Sequence, residues 1–223
     1  MPLNMPRWLN FRRRQPAPGT YAPETPIHSV RFAVLDTEFT SLDQRSNRLL
    51  SVGAVTMDGA SIRMGEQFYR VLNPGVEVPA SSVVVHKLRP NDIERGEPPL
   101  QALAELRDYI AGAVLVGHFI KMDLDLLRKE MRATEHSLDG PIVDTAKVHH
   151  WLLRKGRYSE DLFHRLEILD LASLAKLYNI DFHEAHHALD DAFVTARLWQ
   201  KLICQLEARG VRTLARLLNI GTP

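Results

Sequence analysis

The 223 residues are enough for one large domain or two small ones, and with 45% hydrophobic and 25% charged residues the chain reads as soluble and globular with a proper core. Cys204 is the only cysteine, which excludes an internal disulfide or a cysteine-rich zinc site and points to a reducing, cytoplasmic compartment of the bacterial type; no apolar run reaches the roughly 18–20 residues of a membrane span. The formal net charge of +1 gives no bulk electrostatic sign of a nucleic-acid partner, so any such partner has to be read from a local site.

Residues 1–30 form a separate piece, rich in proline (Pro2, Pro6, Pro16, Pro18, Pro23, Pro26) and carrying the triplet Arg12–Arg14. It reads as an N-terminal extension, flexible or lying on the surface, with a basic segment that touches nucleic acid or a partner as the alternative. The main domain is expected over 31–208. Arg31–Asp36 is a short apolar run ending in an acid, as a buried strand would. Leu49–Met57 and Ser61–Leu72 read as two more strands, and Asp58-Gly59 between them is a hairpin signal. Pro98–Ala111 has Leu100, Leu103, Leu106 and Ile110 at helical spacing, and Ala113–Val116 reads as a strand running into Gly117. Met122–Met131 and Val143–Leu153 are expected to be helical, as is Leu169–Tyr178 with Asp170 as its N-cap. Ala188–Ala208 is a long helix; Val211–Asn219 is a short one, within a C-terminal helical segment 209–223. Strands first, then alternating helix and strand, argue for an α/β domain: a mixed β-sheet flanked by helices.

Three places along this order carry carboxylates. Asp36 and Glu38 end the first strand, where side chains two apart share a face. Two acids there repel one another unless a cation lies between them, and the carboxyl ends of strands are where open α/β sheets bind ligands. A solvated structural pair is the alternative. Asp123 falls near the start of a helix, where the macrodipole alone would favour an acid. Asp125 is its local competitor; at about 200° around the helix the two cannot face one site. The third place is Ala185-His-His-Ala-Leu-Asp-Asp-Ala192. Asp190 and Asp191 lie about 100° apart on a helix, so only one can face inward. His186 precedes Asp191 by five positions and can share its site only from before or at the first helical turn.

In their joint order these elements resemble the DEDDh exonuclease superfamily, the DnaQ-like group that contains the proofreading (epsilon) subunit of bacterial DNA polymerase III. The family's Asp-x-Glu-x-Thr-Gly-Leu-Asp is similar to Asp36-Thr-Glu-Phe-Thr-Ser-Leu-Asp43, and Gly-His-Asn-x-x-Phe-Asp to Gly117-His-Phe-Ile-Lys-Met-Asp123. His-x-Ala-Leu-x-Asp-Ala resembles His186-His-Ala-Leu-Asp-Asp-Ala192, and Val85-His-Lys-Leu-Arg-Pro90 looks like the family's histidine turn. The resemblance runs from about Arg31 to about Leu206. Departures are Ser41 for a glycine, Phe39 for a small or polar residue, Lys87 for the glycine of the histidine turn, Phe119 for asparagine and Met122 for an aromatic residue. They fall in the substrate cleft and bear on the substrate, not on the catalytic carboxylates.

The resemblance implies a ribonuclease H-like fold and a 3′→5′ exonuclease that releases nucleoside 5′-monophosphates, with DNA favoured. It implies that Asp36, Glu38, Asp123 and Asp191 hold two divalent cations, Mg²⁺ or Mn²⁺, with Asp36 bridging both. Two ions roughly 3.5–4 Å apart activate the water, neutralise the transition state and stabilise the leaving 3′-oxygen. Oxygen ligands suit such hard cations. His186 is implied as the general base, a residue type that titrates near neutral pH. Thr37, Thr40, Ser41 and Leu42 are implied to bind substrate, with His86 beside them. An ordinary loop leucine and a turn histidine are the structural alternatives for Leu42 and His86. Asp144 matches a frequent family aspartate, and a helix cap is its expected role. His118, His149, His150 and His183 read as structural or surface residues. The expected partner is nucleic acid with a free 3′ end, single-stranded; a polymerase or other protein partner is not readable from the sequence. The same catalytic residues would serve an RNA-trimming or short-oligonucleotide enzyme. A non-catalytic module that binds nucleic acid or protein is the alternative of another class.

Overall fold

In a computed structural model, which describes residues 21–41, 43, 45–78, 87–132, 138, 140–156, 170–182 and 186–223, the opening strands are β1 (Arg31–Phe39), β2 (Leu49–Asp58) and β3 (Ser61–Val71). Gly59, at φ 55°, takes the left-handed conformation that the tight β2–β3 turn needs and a glycine adopts freely. Two short helices follow, α1 (Pro90–Glu94) and α2 (Pro99–Ile110), then β4 (Val114–Gly117) and α3 (Lys121–Met131). β5 (Ile142–Asp144) leads directly into α4 (Thr145–Lys155). The rest is helical: α5 (Leu171–Leu177), α6 (Ala188–Ala208) and α7 (Leu214–Gly221).

The strands form one mixed sheet in the order β3-β2-β1-β4-β5. β1 pairs antiparallel with β2 and parallel with β4, and β4 pairs parallel with β5. Alternation sorts β1 into two faces. Phe32 and Val34 pack with Val55, Met57, Val116 and the buried face of α6. Ala33 and Leu35 pack with Val52, Ala54 and the apolar stripes of α2 and α3, including Leu103, Leu106, Leu124 and Leu127. On the α6 side Trp199 is fully buried and meets Phe32 edge to face at 5.4 Å. Each such large apolar side chain contributes about 1.5–3 kcal/mol on burial.

Two expected boundaries differ. Val143 and Asp144 are strand, not helix; the helix starts at Thr145. Three residues are too few to display a period of two, and Val143, Val148 and Leu152 also fit helical spacing. The terminal helix begins at Leu214, because Thr213 instead bridges to Pro26. Residues 21–30 and 209–221 are stitched together: Ile27 N–H donates to Arg212 O, Leu214 N–H to Thr25 O and Ala215 N–H to Pro23 O. Ile27, Val30, Leu214 and Leu217 enter the core on the α6 side. No helix among the described residues is long and apolar enough to cross a membrane.

Candidate active site

At the carboxyl end of β1 the residues on the α6 face change from apolar to acidic: Phe32, Val34, then Asp36 and Glu38. The β1–β2 register shifts between Glu38 and Phe39, a bulge that re-aims the strand end. α6 meets this end with its first turn. Asp191 is 7% exposed and turns inward, whereas the Asp190 side chain is 65% exposed. His186 precedes the helix at φ 71°, and its backbone N–H donates to Asp191 Oδ2 at 3.0 Å. One donor atom each from Glu38, His186 and Asp191 lies within 4.8 Å of the others. His187 is turned away. Its ring stacks on Tyr69 with centroids 4.7 Å apart, and Nδ1 lies 3.2 Å from Asp190 Oδ2 without hydrogen-bond alignment.

Asp123 comes from the first turn of α3 and is buried. Thr37, pointing to the opposite face of β1 from Asp36, donates its hydroxyl to Asp123 Oδ1 at 2.6 Å. Asp125 points elsewhere and pairs with Lys121 at 2.7 Å. The turn from β4 into α3 is held from below. Asp144 Oδ1 accepts from Ala146 N–H at 2.8 Å, capping α4, and from Phe119 N–H at 3.2 Å. Thr145 Oγ1 donates to Gly117 O at 3.2 Å and lies 2.9 Å from His118 Nδ1. Asp144 is thus a cap, as expected, and also a clamp on the segment that delivers Asp123.

The four acids oppose one another's ionisation. Burial, then the charges of Asp123, Asp191 and Glu38, hold the Asp36 carboxyl well above its ordinary range. Glu38 is pushed from 4.5 up to about 8 by burial and by Asp191 and Asp123. Burial raises Asp123 to about 7 despite the Thr37 hydrogen bond, and raises Asp191 against the His186 N–H. Asp191 Oδ1 is buried and has no hydrogen-bond partner. Crowded carboxylates, all hard oxygen donors, with a buried oxygen left unsatisfied, fit a divalent cation. A testable consequence follows for the metal-free protein. A carboxyl whose folded pKa is raised stabilises the fold below its unfolded value, and that stability is lost as pH climbs through the folded value. The thermal midpoint in chelator should therefore fall between pH 4.5 and about 8, the Glu38 window. Mn²⁺ should raise the midpoint at pH 8 more than at pH 5, because metal and protons compete for the same oxygens. A metal-free midpoint that climbs across this window, with no response to Mn²⁺, would contradict the cluster.

Of the other expected site residues, Thr40 is buried and closes the β1–β2 loop: its N–H donates to Arg48 O and its Oγ1 accepts from Arg48 N–H, both at 3.0 Å. Ser41 Oγ is buried with no hydrogen-bond partner. Leu42, His86 and His183, like residues 1–20, lie outside the described residues. His118 and the buried His149 make structural contacts, the latter with Nδ1 3.1 Å from the Tyr178 hydroxyl. Asp170 caps α5 by accepting from Ser173 N–H at 2.7 Å. Sequence reasoning missed Gly53. It faces Asp36 across the β1–β2 ladder, and a Cβ there would fall well under 3.0 Å from the backbone of Ala188 and Leu189. A glycine inside a strand pattern was the available signal.

A model of the exonuclease family, RNase_T, matches residues 33–199. A DNA polymerase III subunit epsilon-like protein of Rhodobacter capsulatus is 29% identical over 199 residues, covering 88% of this chain and 27% of that protein. The chain thus spans about a quarter of that relative's length. Among solved structures, E. coli exonuclease I in complex with a dT13 oligonucleotide superposes with a TM-score of 0.67 at 15% identity, over 81% of this chain and 42% of that one. Cell-death related nuclease 4 gives 0.66 at 14% identity, over 82% of this chain and 66% of that one. The sheet order and the flanking helices are those of a ribonuclease H-like exonuclease fold, and the chain belongs to the exonuclease family, within its DEDDh (DnaQ-like) superfamily.

Proposed function

We propose that the protein is a metal-dependent 3′→5′ exonuclease that removes nucleoside 5′-monophosphates from single-stranded DNA. The observation that carries this reading is the convergence of Asp36, Glu38, Asp123 and Asp191 on one strand end, with the buried Oδ1 of Asp191 unsatisfied. Exonuclease I with its bound oligonucleotide supports the choice of single-stranded DNA. In this reading Asp36, Glu38, Asp123 and Asp191 would hold two divalent cations, Mg²⁺ or Mn²⁺. When bound, the cations acidify the attacking water and neutralise charge on the phosphoryl and leaving 3′ oxygens.

His186 is the base. It sits ahead of α6, exposed, with a ring nitrogen near Glu38 and Asp191. Water attacks phosphorus, its proton passes to the imidazole, and the P–O3′ bond breaks, the departing 3′ oxygen taking a proton from solvent to become the new 3′ hydroxyl. Thr37 and the His186 N–H each hydrogen-bond one carboxylate oxygen and fix its direction. Ser41 and Leu42 are the residues assigned to the terminal nucleotide, with His86 a further candidate, and Thr40 braces the end of β1 through its pair of bonds to Arg48. The test is cleavage of 5′-labelled dT12 with Mg²⁺ or Mn²⁺. A ladder shortening from the 3′ end, abolished by excess chelator or a bulky 3′ block, is expected. Internal or 5′-end cleavage, or full activity after exhaustive metal removal, would reject the assignment.

A further inference from the structure

Asp43 closes the motif that opens with Asp36, yet it is exposed, and the charges that crowd Asp36 are those of Asp123, Asp191 and Glu38. Asp43 instead shapes the loop between β1 and β2. Its Oδ1 accepts from Arg45 N–H at 3.2 Å and its Oδ2 from the Ser46 hydroxyl at 2.7 Å. Its carbonyl accepts from Ser46 N–H at 3.2 Å and Asn47 N–H at 2.8 Å. The Ser46 and Arg45 bonds, with the charge of Lys129 adding to them, hold the Asp43 carboxyl below its ordinary range. These bonds are internal to the loop. Attachment to the rest of the domain comes from α3: Lys129 Nζ donates to Arg45 O, Asn47 O and Asn47 Oδ1 at 3.1, 2.8 and 3.0 Å. Asn47 is buried beneath this contact. The neighbouring Arg48 and Glu130 approach only to 3.7 Å, an ion pair on the surface that contributes little. Bonds from a charged donor are roughly twice as strong as neutral ones, so the ammonium is the main tie.

The same helix delivers an acid to the centre. Asp123 lies in the first turn of α3, and Lys129 is about 9 Å farther along its axis. One helix thus sets both Asp123 and the loop that follows β1. We propose that Lys129 is a positioning residue for the reaction: it holds loop 41–47 on α3, so that Ser41 and Leu42 meet the terminal nucleotide already ordered. The proposal rests on the exonuclease reading above, which assigns those two residues to the substrate. Without the ammonium the loop has to be ordered when the substrate arrives, and that conformational entropy is subtracted from binding. The acids do not depend on the loop. Asp36 and Glu38 are fixed by the pairing of β1 with β2, Asp123 and Asp191 by the first turns of α3 and α6. The loss should therefore fall on KM and spare kcat, as removal of binding common to ground state and transition state does.

The test is Lys129→Met, which keeps the unbranched stem and a good helix former and removes the ammonium. Amide hydrogen exchange reads the anchor without any substrate: the N–H groups of Thr40, Ser46, Asn47 and Arg48, all bonded within the loop, should exchange at least about tenfold faster in the variant. Steady-state cleavage of dT12 in Mn²⁺ should show KM raised about tenfold, with kcat within about threefold and Mn²⁺ affinity unchanged. A double-mutant cycle then asks whether Lys129 acts through the loop. In a Leu42→Ala background, where the proposed contact is already lost, Lys129→Met should raise KM by less than about twofold. Arg128→Met, which removes one positive charge from the adjacent exposed position of α3, is the control for simple attraction of the polyanion and should leave KM unchanged. Unaltered loop exchange, an equal rise in KM from Arg128→Met, a full tenfold rise in the Leu42→Ala background, or a loss confined to kcat and Mn²⁺ affinity would overturn the proposal. A wild-type protein that leaves dT12 intact would overturn the exonuclease reading itself, and with it the role assigned to the loop, whereas the exchange result bears on the anchor alone.

Discussion

Asp191→Asn is expected to lower single-turnover cleavage of a 3′-labelled oligonucleotide by at least about 10²-fold at saturating Mn²⁺, equivalent to about 2.7 kcal/mol in the barrier. The change keeps the shape and the bond from His186 N–H but removes the charge opposite Glu38, so the loss should appear in metal affinity as well as rate. His186→Ala should differ in kind. The backbone N–H that orients Asp191 survives the substitution, and alanine carries the same Cβ into the left-handed backbone at φ 71°. Mn²⁺ affinity should therefore stay nearly intact while the rate falls on the order of 10²–10⁴, the range for loss of a general base. Asp190→Asn and His187→Ala should remain within about tenfold of wild type. Their side chains meet each other and Tyr69, outside the acid cluster. An inactive His187→Ala beside an active His186→Ala would move the base by one residue and break the proposed mechanism.

That only one of Asp190 and Asp191 faces inward is legible from helix geometry, whereas the choice of Asp191, and of His186 over His187 ahead of the helix, comes from the spacing in the resemblance alone. Asp36 and Glu38 are legible for a similar reason, since a period of two places them on one face. The bounds of α6 coincide with its apolar stripe, Ala188 to Ala208. β5 is not legible, because its three residues carry no periodicity of their own. Nor is the role of Thr37. Its odd position in β1 sends it away from Asp36 and Glu38, and only the packing of α3 brings Asp123 to meet it. Two departures from the family pattern have a backbone meaning that a motif comparison does not express. Lys87 stands in place of glycine and Phe119 in place of asparagine, and the structure puts them at φ 56° and φ 52°. Glycine and asparagine reach that region readily, whereas other residues are held there at a cost of roughly 1–2 kcal/mol. At Phe119 the bond from its N–H to Asp144 offsets part of that cost and fixes the turn ahead of Asp123.

Gly53→Ala should be the most damaging single methyl addition in the sheet. Gly53 sits on β2 opposite Asp36, and α6 begins directly over it. A Cβ at this position would overlap Leu189 N, Ala188 C and Leu189 Cα, all backbone atoms that no side-chain rotation can move aside. Either the first turn of α6 lifts off the sheet or β2 is pushed away from β1. Overpacking of this kind costs typically 1–3 kcal/mol in stability. The functional effect should be larger than the stability effect. The displaced turn carries Asp191 and follows His186, whereas most of the apolar contact of α6, through Leu198, Trp199 and Leu202, lies farther along the helix. The variant should thus stay folded by circular dichroism while Mn²⁺ affinity drops and turnover falls by about 10²-fold or more, in line with the sensitivity of reacting geometry to displacements near 1 Å. Gly65→Ala on β3 is the matched control. Its added methyl meets nothing within 4 Å, so activity should be unchanged and stability equal or slightly higher. If Gly53→Ala retains wild-type turnover and Mn²⁺ affinity, close approach at this glycine does not position the acids, and Asp191 must reach them by some other support.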